Sequence, residues 1–217
     1  MTVDTESSPA APAAELDSRT RFGLLWLIAA LVVGLLVGAA GTYLATQPSP
    51  PGDTSAEAGF LRDMSTHHAQ AIEMAMIEHA GTASLELRTL AGDIALTQQA
   101  QVGYMQAWLR DWNLSPTGSQ PVMAWMPNSA GEVVNGLMPG MATPDQLAAL
   151  RKATGKELDI QFLTLMRQHH LGGIHMAQEI LTLTHDPNVT WLAKSMVVNQ
   201  QGEVNVIGDL LKQLGAA

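Results

Sequence analysis

The 217-residue sequence contains no cysteine. Disulfide bonds and thiolate metal ligands are therefore both excluded. A site for a soft metal would have to be built from the 12 methionines and seven histidines.

The sequence also lacks the short motifs that accompany common hydrolytic and nucleotide-dependent reactions. It has no G-x-S-x-G, no H-E-x-x-H and no glycine-rich phosphate loop. Its acidic residues are scattered, without an evident pair placed for general acid and base catalysis. These absences predict a protein that is not an enzyme.

Basic residues are scarce, and the formal net charge at pH 7 is −9. Two of the 11 basic residues and four of the 20 acidic residues precede residue 22, which leaves a net charge of −7 for the rest. A nucleic-acid-binding protein needs a basic face. We therefore expect no nucleic-acid partner.

The N-terminal part divides into a polar tail and an apolar run. Residues 1–21 are rich in Ala, Pro, Ser and charge, which predicts a disordered tail. Residues 22–45 carry no charge and are long enough to cross a membrane as one helix. Arg19 and Arg21 precede this run, so the positive-inside rule predicts a cytoplasmic tail, a single-pass anchor in the cell membrane and an extracytoplasmic remainder.

A cleaved signal peptide is the alternative to an anchor, and it would make the protein secreted. Signal peptides have apolar cores of about 7–15 residues, and no clean small-x-small cleavage site follows Val37, so the anchor is favoured. Gly34 and Gly38 have the G-x-x-x-G spacing of some helix dimers, which leaves a homodimer open.

One pattern, F-L-x-x-M-x-x-H-H-x-x-x-I-x-M-A, occurs twice, at residues 60–75 and 162–177. The offset of 102 residues persists further along the chain, where a Gln-Gln pair recurs at 98–99 and 200–201. The protein therefore contains a duplication of a unit of roughly fifty residues.

Apolar spacing and helix breakers predict an all-α domain, a four-helix bundle made of two duplicated hairpins. Thr143 and Thr154 each begin a capping-box pattern, and Pro187 is predicted to end the third long helix. The predicted linker is 46–56, and the first hairpin is 57–112 with helices at 57–79 and 84–112. A connector rich in Met and Pro follows at 113–153 and contains a short helix at 144–153. The second hairpin is 154–214, and its last helix begins at 189.

Each copy of the repeat places a methionine at position i and histidines at i+3 and i+4 on neighbouring positions of one helix face. If the two copies approach each other, their thioethers and imidazoles come together. That donor set favours copper, as Cu(I), or silver. The predicted metal ligands are Met64, His67, His68, Met166, His169 and His170, extended by Met74, His175 and Met176.

Inward-facing polar residues on the partner helices are predicted to accept the free N–H of a ligating histidine and so to orient it. They are Gln98, Gln101, Gln200 and Glu203. An equally good interpretation is that they bond buried polar groups across helices. The whole domain is then a metal-free structural or protein-interaction module, whose partner is unknown.

A carboxylate-bridged di-iron centre is the main rival metal site for a helical bundle. It needs glutamate on two helices and Glu-x-x-His on the other two. Neither His-His pair has a glutamate three residues before it, which disfavours this interpretation.

The doubled motif, the Gln-Gln that follows it and Met-Pro-Gly-Met-x-Thr-Pro at residues 138–144 resemble the domain-of-unknown-function family numbered 305. The resemblance spans about residues 56–214. It implies a ferritin-like fold, export or membrane anchoring, and, as in some members, copper binding by the Met and His of the doubled motif. The sequence departs from the family pattern at Gln101-Val102 and at Gly172-Gly173, where glycines interrupt the helix that carries the second copy of the motif. The backbone either packs closely at those glycines or bends.

Overall fold

The computed structural model describes residues 18–46, 49–129 and 131–216. Over these ranges the chain is all-helical, as predicted, with one isolated bridge between Val134 and Leu137. The six helices are α1 (Ser18–Thr46), α2 (Ala56–Gly81), α3 (Leu85–Asp111), α4 (Pro144–Leu150), α5 (Gly155–Leu183) and α6 (Pro187–Gln213).

Helix α1 belongs to a separate N-terminal unit. Its segment Phe22–Thr46 has a mean hydropathy of 2.6 and is long and apolar enough to cross a membrane, although a signal sequence would pass the same test. Helix α1 begins at Ser18, four residues before the predicted apolar span, so residues 18–21 of the predicted tail lie in this helix. The rest of the predicted tail, residues 1–17, lies outside the described residues.

The second unit begins at Pro50 and contains the other five helices. Helix α2 packs against α3, α5 packs against α6, and the two hairpins meet where α2 packs against α5. Of the predicted linker, residues 47 and 48 lie outside the described residues, and α2 begins at Ala56.

The helix starts differ in how far local signals specify them. Thr143 and Gln146 form the predicted capping box of α4. Thr154 makes no side-chain cap bond, because Gly155 has a φ of +56° and the chain enters α5 through a left-handed residue. Pro187 does not merely end a helix: it is the first residue of α6, after an Asp186 cap that accepts two backbone N–H groups.

The core consists of two apolar clusters with a buried polar layer between them. The first cluster contains Met74 of α2 and Met166 of α5, and the second contains Met64 and Met176 of the same two helices. Because the early residues of α2 meet the late residues of α5, these two helices are antiparallel. Eight residues near the middle of the four long helices form the polar layer: His67, His68, Gln98, Gln101, His169, His170, Gln200 and Glu203.

The connector between the hairpins is held against α2 by side chains of that helix. Asp63 Oδ2 accepts hydrogen bonds from the backbone N–H of Met123 at 2.7 Å and the indole N–H of Trp125 at 2.9 Å. Further along the connector, the Gln70 amide bonds both the N–H and the carbonyl of Ala142. The connector therefore contacts α2 on both sides of the His-His pair.

Glycines let the connector also approach α5 closely. A Cβ at Gly172 would overlap the carbonyl oxygen of Pro139, and a Cβ at Gly140, whose φ is +78°, would overlap the carbonyl oxygen of Gln168. A Cβ at Gly173 would lie 2.5 Å from Gln200 Oε1. Close packing is thus the reason for the two glycines inside α5.

A carboxyl group is buried away from the polar layer, in α2. Glu78 has no exposed surface, and neither of its carboxyl oxygens has a hydrogen-bond partner. Burial, together with the neighbouring charge of Asp159, raises the pKa of Glu78 to about 8. The folded protein therefore retains a proton here at neutral pH.

Replacing Gly172 by alanine should destabilise the fold by roughly 1–3 kcal/mol, because the new methyl group must displace the Pro139 backbone. Gly202, in α6, has no atom within 4 Å of its would-be Cβ and is the matched control. There the same change should stabilise the protein by about 0.5–1 kcal/mol. Urea unfolding of both variants measures the difference, and equal effects at the two sites would contradict the close packing.

Replacing Glu78 by glutamine should change how stability depends on pH. In the native chain the unfolded state releases this proton near pH 4.5 and the folded state only near pH 8. The contribution of Glu78 to the free energy of unfolding should therefore fall between these values as pH rises, by up to about 1.4 kcal/mol per pH unit. The buried histidines, whose pKa values are lowered, contribute a rise below about pH 6.5, so each variant is compared with the native chain at the same pH. From pH 5 to 8, the free energy of urea unfolding of Glu78→Gln relative to the native chain should increase, whereas that of the exposed control Glu86→Gln should stay constant.

Candidate metal centre

The four histidines of the doubled motif meet where α2 packs against α5. All four are fully buried. The ring centroids of His67 and His169 lie 3.8 Å apart, with the ring planes inclined by 34°. His68 lies 6.5 Å from His67, and His170 lies 6.4 Å from His169, each measured between ring centroids.

Each of these imidazoles uses its Nε2 atom in a hydrogen bond to an oxygen. His67 bonds the Pro139 carbonyl at 3.0 Å, and His169 bonds the backbone carbonyl of His67 at 3.0 Å. His68 bonds Gln101 Oε1 at 2.7 Å, and His170 bonds Glu203 Oε2 at 2.5 Å. A carbonyl or carboxylate oxygen only accepts, so each Nε2 carries the hydrogen.

The environment of three of the rings favours their neutral form. Burial lowers the pKa of His67 to about 4 and that of His68 to about 3. Burial also lowers the pKa of His169 well below its usual value, and the neighbouring histidines add to that effect. A neutral imidazole whose Nε2 holds the hydrogen has its lone pair on Nδ1, the atom that a metal ion would use.

The four Nδ1 atoms are buried and have no hydrogen-bond partner among the residues that the structure describes. The same is true of both amide atoms of Gln98 and of Gln200 Oε1 in the polar layer. An unpartnered buried polar atom costs on the order of 1–3 kcal/mol, so folded proteins keep few of them. Seven of them lie in this one layer, which makes it the candidate site in the described part of the chain.

The layer supplies metal-donor atoms, but in the described residues they do not form a complete coordination sphere. Across the described residues, no group of three or more His, Asp or Glu side chains is placed to hold a metal ion. The donor chemistry nevertheless fits copper, because neutral imidazole nitrogens suit this metal and each ring is oriented by a bond at its other nitrogen.

The predicted methionines do not gather around the histidines as one group. Met64 and Met176 lie together in the apolar cluster on one side of the layer, and Met74 and Met166 lie in the cluster on the other side. The expectation that Met64 and Met166 approach each other is wrong. Because α2 and α5 are antiparallel and meet at the histidines, residues before the His-His pair of one copy lie beside residues after the His-His pair of the other.

The remaining predicted residues occupy distinct surroundings. His175 lies at the surface, 40% exposed, with Nε2 3.4 Å from Glu132 Oε2. Gln101 and Glu203 bond the second histidine of their respective copies, whereas the side chain of Gln98 has no hydrogen-bond partner among the described residues. His175 is therefore apart from the buried quartet.

Sequence reasoning missed the contribution of the connector. The carbonyl of Pro139 orients His67, and the carbonyl of His67 orients His169. The pattern of side chains in a sequence does not indicate which backbone carbonyl accepts a hydrogen bond. The available signal was the glycine pair at 172–173, whose lack of Cβ atoms marks the place where another backbone comes close.

These features define a class of protein: an all-helical domain of two duplicated hairpins with a buried histidine layer. The sequence profile of the family described as Domain of unknown function (DUF305) matches residues 57–211. The chain belongs to this family, which confirms the resemblance. No curated protein sequence matches the chain.

Solved structures agree with the family assignment. A candidate secreted DUF305 protein from Streptomyces coelicolor is 42% identical, with a TM-score of 0.70, over 76% of this chain and 97% of that one. A DUF305 fragment from Deinococcus radiodurans is 30% identical, with a TM-score of 0.62, over 77% and 99%. CopM in its Cu(II)-bound form is 25% identical, with a TM-score of 0.58, over 73% and 97%.

Proposed function

We propose that the second unit binds copper through the Nδ1 atoms of His67, His68, His169 and His170. One observation supports this most directly: four buried imidazoles donate through Nε2 and leave Nδ1 without a partner. The two methionine pairs beside the layer provide further soft ligands. Thioether and neutral imidazole together favour Cu(I) or Ag(I) in a chain without thiolates.

The proposed role is to sequester copper or to transfer it, and so to confer resistance to the metal, without catalysis. CopM, solved with Cu(II) bound, is a precedent for copper binding among structures similar to this one. Most of that likeness is in the fold, so the metal assignment for this chain depends on its own donor atoms.

The proposed location is the outer side of the cell membrane. Helix α1 is the anchor, with the N-terminus in the cytoplasm, because Arg19 and Arg21 precede its apolar span and the next basic residue is Arg62. Cleavage and secretion are the alternative. We also propose that the two hairpins form a ferritin-like four-helix bundle and that α1 can form a homodimer.

A metal-free structural module is the second candidate function. It is favoured by the lack, across the described residues, of three ligand side chains placed around one point. In that case the Nε2 hydrogen bonds would exist only to join the helices and the connector. Thermal stability that is independent of metal, together with loss of folding in His67→Ala, would support it.

The copper site can be tested by replacing all four histidines with glutamine. The glutamine Nε2 can keep the hydrogen bond that each histidine Nε2 donates, while the Nδ1 lone pair disappears. Titration of the whole chain in detergent with Cu(I), under anaerobic reducing conditions and against a competing chelator, should show tight binding. The variant should bind at least about 100-fold more weakly, since even outer-shell partners are worth 10–100-fold.

His185→Gln, at an exposed histidine outside the layer, is the matched control and should bind as the native chain does. Circular dichroism establishes that each variant is folded. A folded four-histidine variant with unchanged affinity and stoichiometry would refute the site. If the native chain binds Cu(I) no more tightly than a scrambled peptide of the same Met and His content, copper binding is refuted and the metal-free structural module remains as the function.

A further inference from the structure

The two halves of the polar layer are related by the offset of 102 residues, but they differ in one acceptor. In the first half His68 donates to the neutral amide of Gln101, at 2.7 Å. In the second half the equivalent His170 donates to the carboxylate of Glu203, at 2.5 Å. The duplication thus holds the geometry nearly constant and changes the charge.

Glu203 is the one acidic side chain of the eight-residue layer. His67 and His169 donate to backbone carbonyls, and Gln98 and Gln200 are neutral amides. The side chain of Glu203 is 21% exposed, whereas His170 beside it is fully buried. A negative charge therefore lies at the edge of the layer, in contact with one of its rings.

We propose that Glu203 increases the affinity of the histidine layer for divalent metal ions more than its affinity for monovalent ones. This inference depends on the proposed metal site and adds to it the residue that discriminates between ion charges. A carboxylate that accepts the Nε2 hydrogen increases the basicity of the imidazole toward a metal at Nδ1. Its Coulomb attraction is also proportional to the charge of the bound ion, so a divalent ion gains twice as much free energy as a monovalent one.

The doubling of free energy gives a quantitative expectation. If loss of the Glu203 charge weakens monovalent binding by some factor, divalent binding should weaken by about the square of that factor. Outer-shell partners of metal-binding histidines are typically worth 10–100-fold in affinity. A fall of about 10-fold for a monovalent ion and about 100-fold for a divalent one is therefore expected.

The experiment compares Ag(I) and Cu(II) binding to the whole chain in detergent, each against a competing chelator. Ag(I) avoids any change of oxidation state during the titration. In Glu203→Gln the second half acquires the amide of the first half, at nearly the same size. The ratio of the Cu(II) to the Ag(I) affinity should fall about 10-fold.

The duplication supplies a matched control. Gln101→Glu places a carboxylate in the first half and should increase the affinity ratio. The double variant Gln101→Glu with Glu203→Gln exchanges the two halves at constant total charge and should return the ratio towards the native value. Helical circular dichroism and the urea midpoint show whether each variant folds, and Glu203→Asp serves as the charge-conserving replacement.

The outcomes separate this inference from the proposed function. If the native chain binds neither ion, the metal site itself is refuted. If it binds both, and Glu203→Gln weakens both equally or affects neither, the site stands and the role of Glu203 is refuted. The inference is supported if Glu203→Gln weakens Cu(II) binding by about the square of the factor for Ag(I) and the double variant restores the ratio. A purely structural role of Glu203 would not distinguish the two ion charges.

Discussion

The fold depends on a buried layer of polar side chains placed between two apolar clusters. Four imidazoles lie in that layer, each held by one hydrogen bond and each with one unpartnered nitrogen. Burial keeps three of these rings neutral, as the lowered pKa values of His67, His68 and His169 indicate. A core made only of apolar side chains would avoid this energetic cost, so the layer is the natural place to look for function.

The connector is part of the same arrangement, because its backbone completes the hydrogen bonding of the layer. The Pro139 carbonyl accepts from His67, and the absence of side chains at Gly140 and Gly172 lets the two backbones approach. Asp63 and Gln70 hold the connector to α2 on either side of that point. The geometry of the histidines is therefore determined by α2, α5 and the connector together.

Much of the helical architecture could be predicted because its signals are local. The apolar spacing of the two copies, the capping box at Thr143 and the proline at 187 depend on residues within one or two turns. The capping box proposed at Thr154 was not formed, because Gly155 took a left-handed conformation that sequence spacing does not report. Which side of the layer each methionine occupies was also beyond local signals, since it depends on the antiparallel contact of α2 with α5.

The sequence by itself determined the all-helical class, the duplication, the family and the chemical types of the donors, because these follow from periodicity, repetition and composition. Only the tertiary structure decided which nitrogen each histidine has free. It also decided that His175 faces Glu132 at the surface and that the methionines are divided into two pairs. The physical reason is that a hydrogen-bond partner and a direction of approach are properties of residues distant in the chain, as with His169 and the backbone of His67.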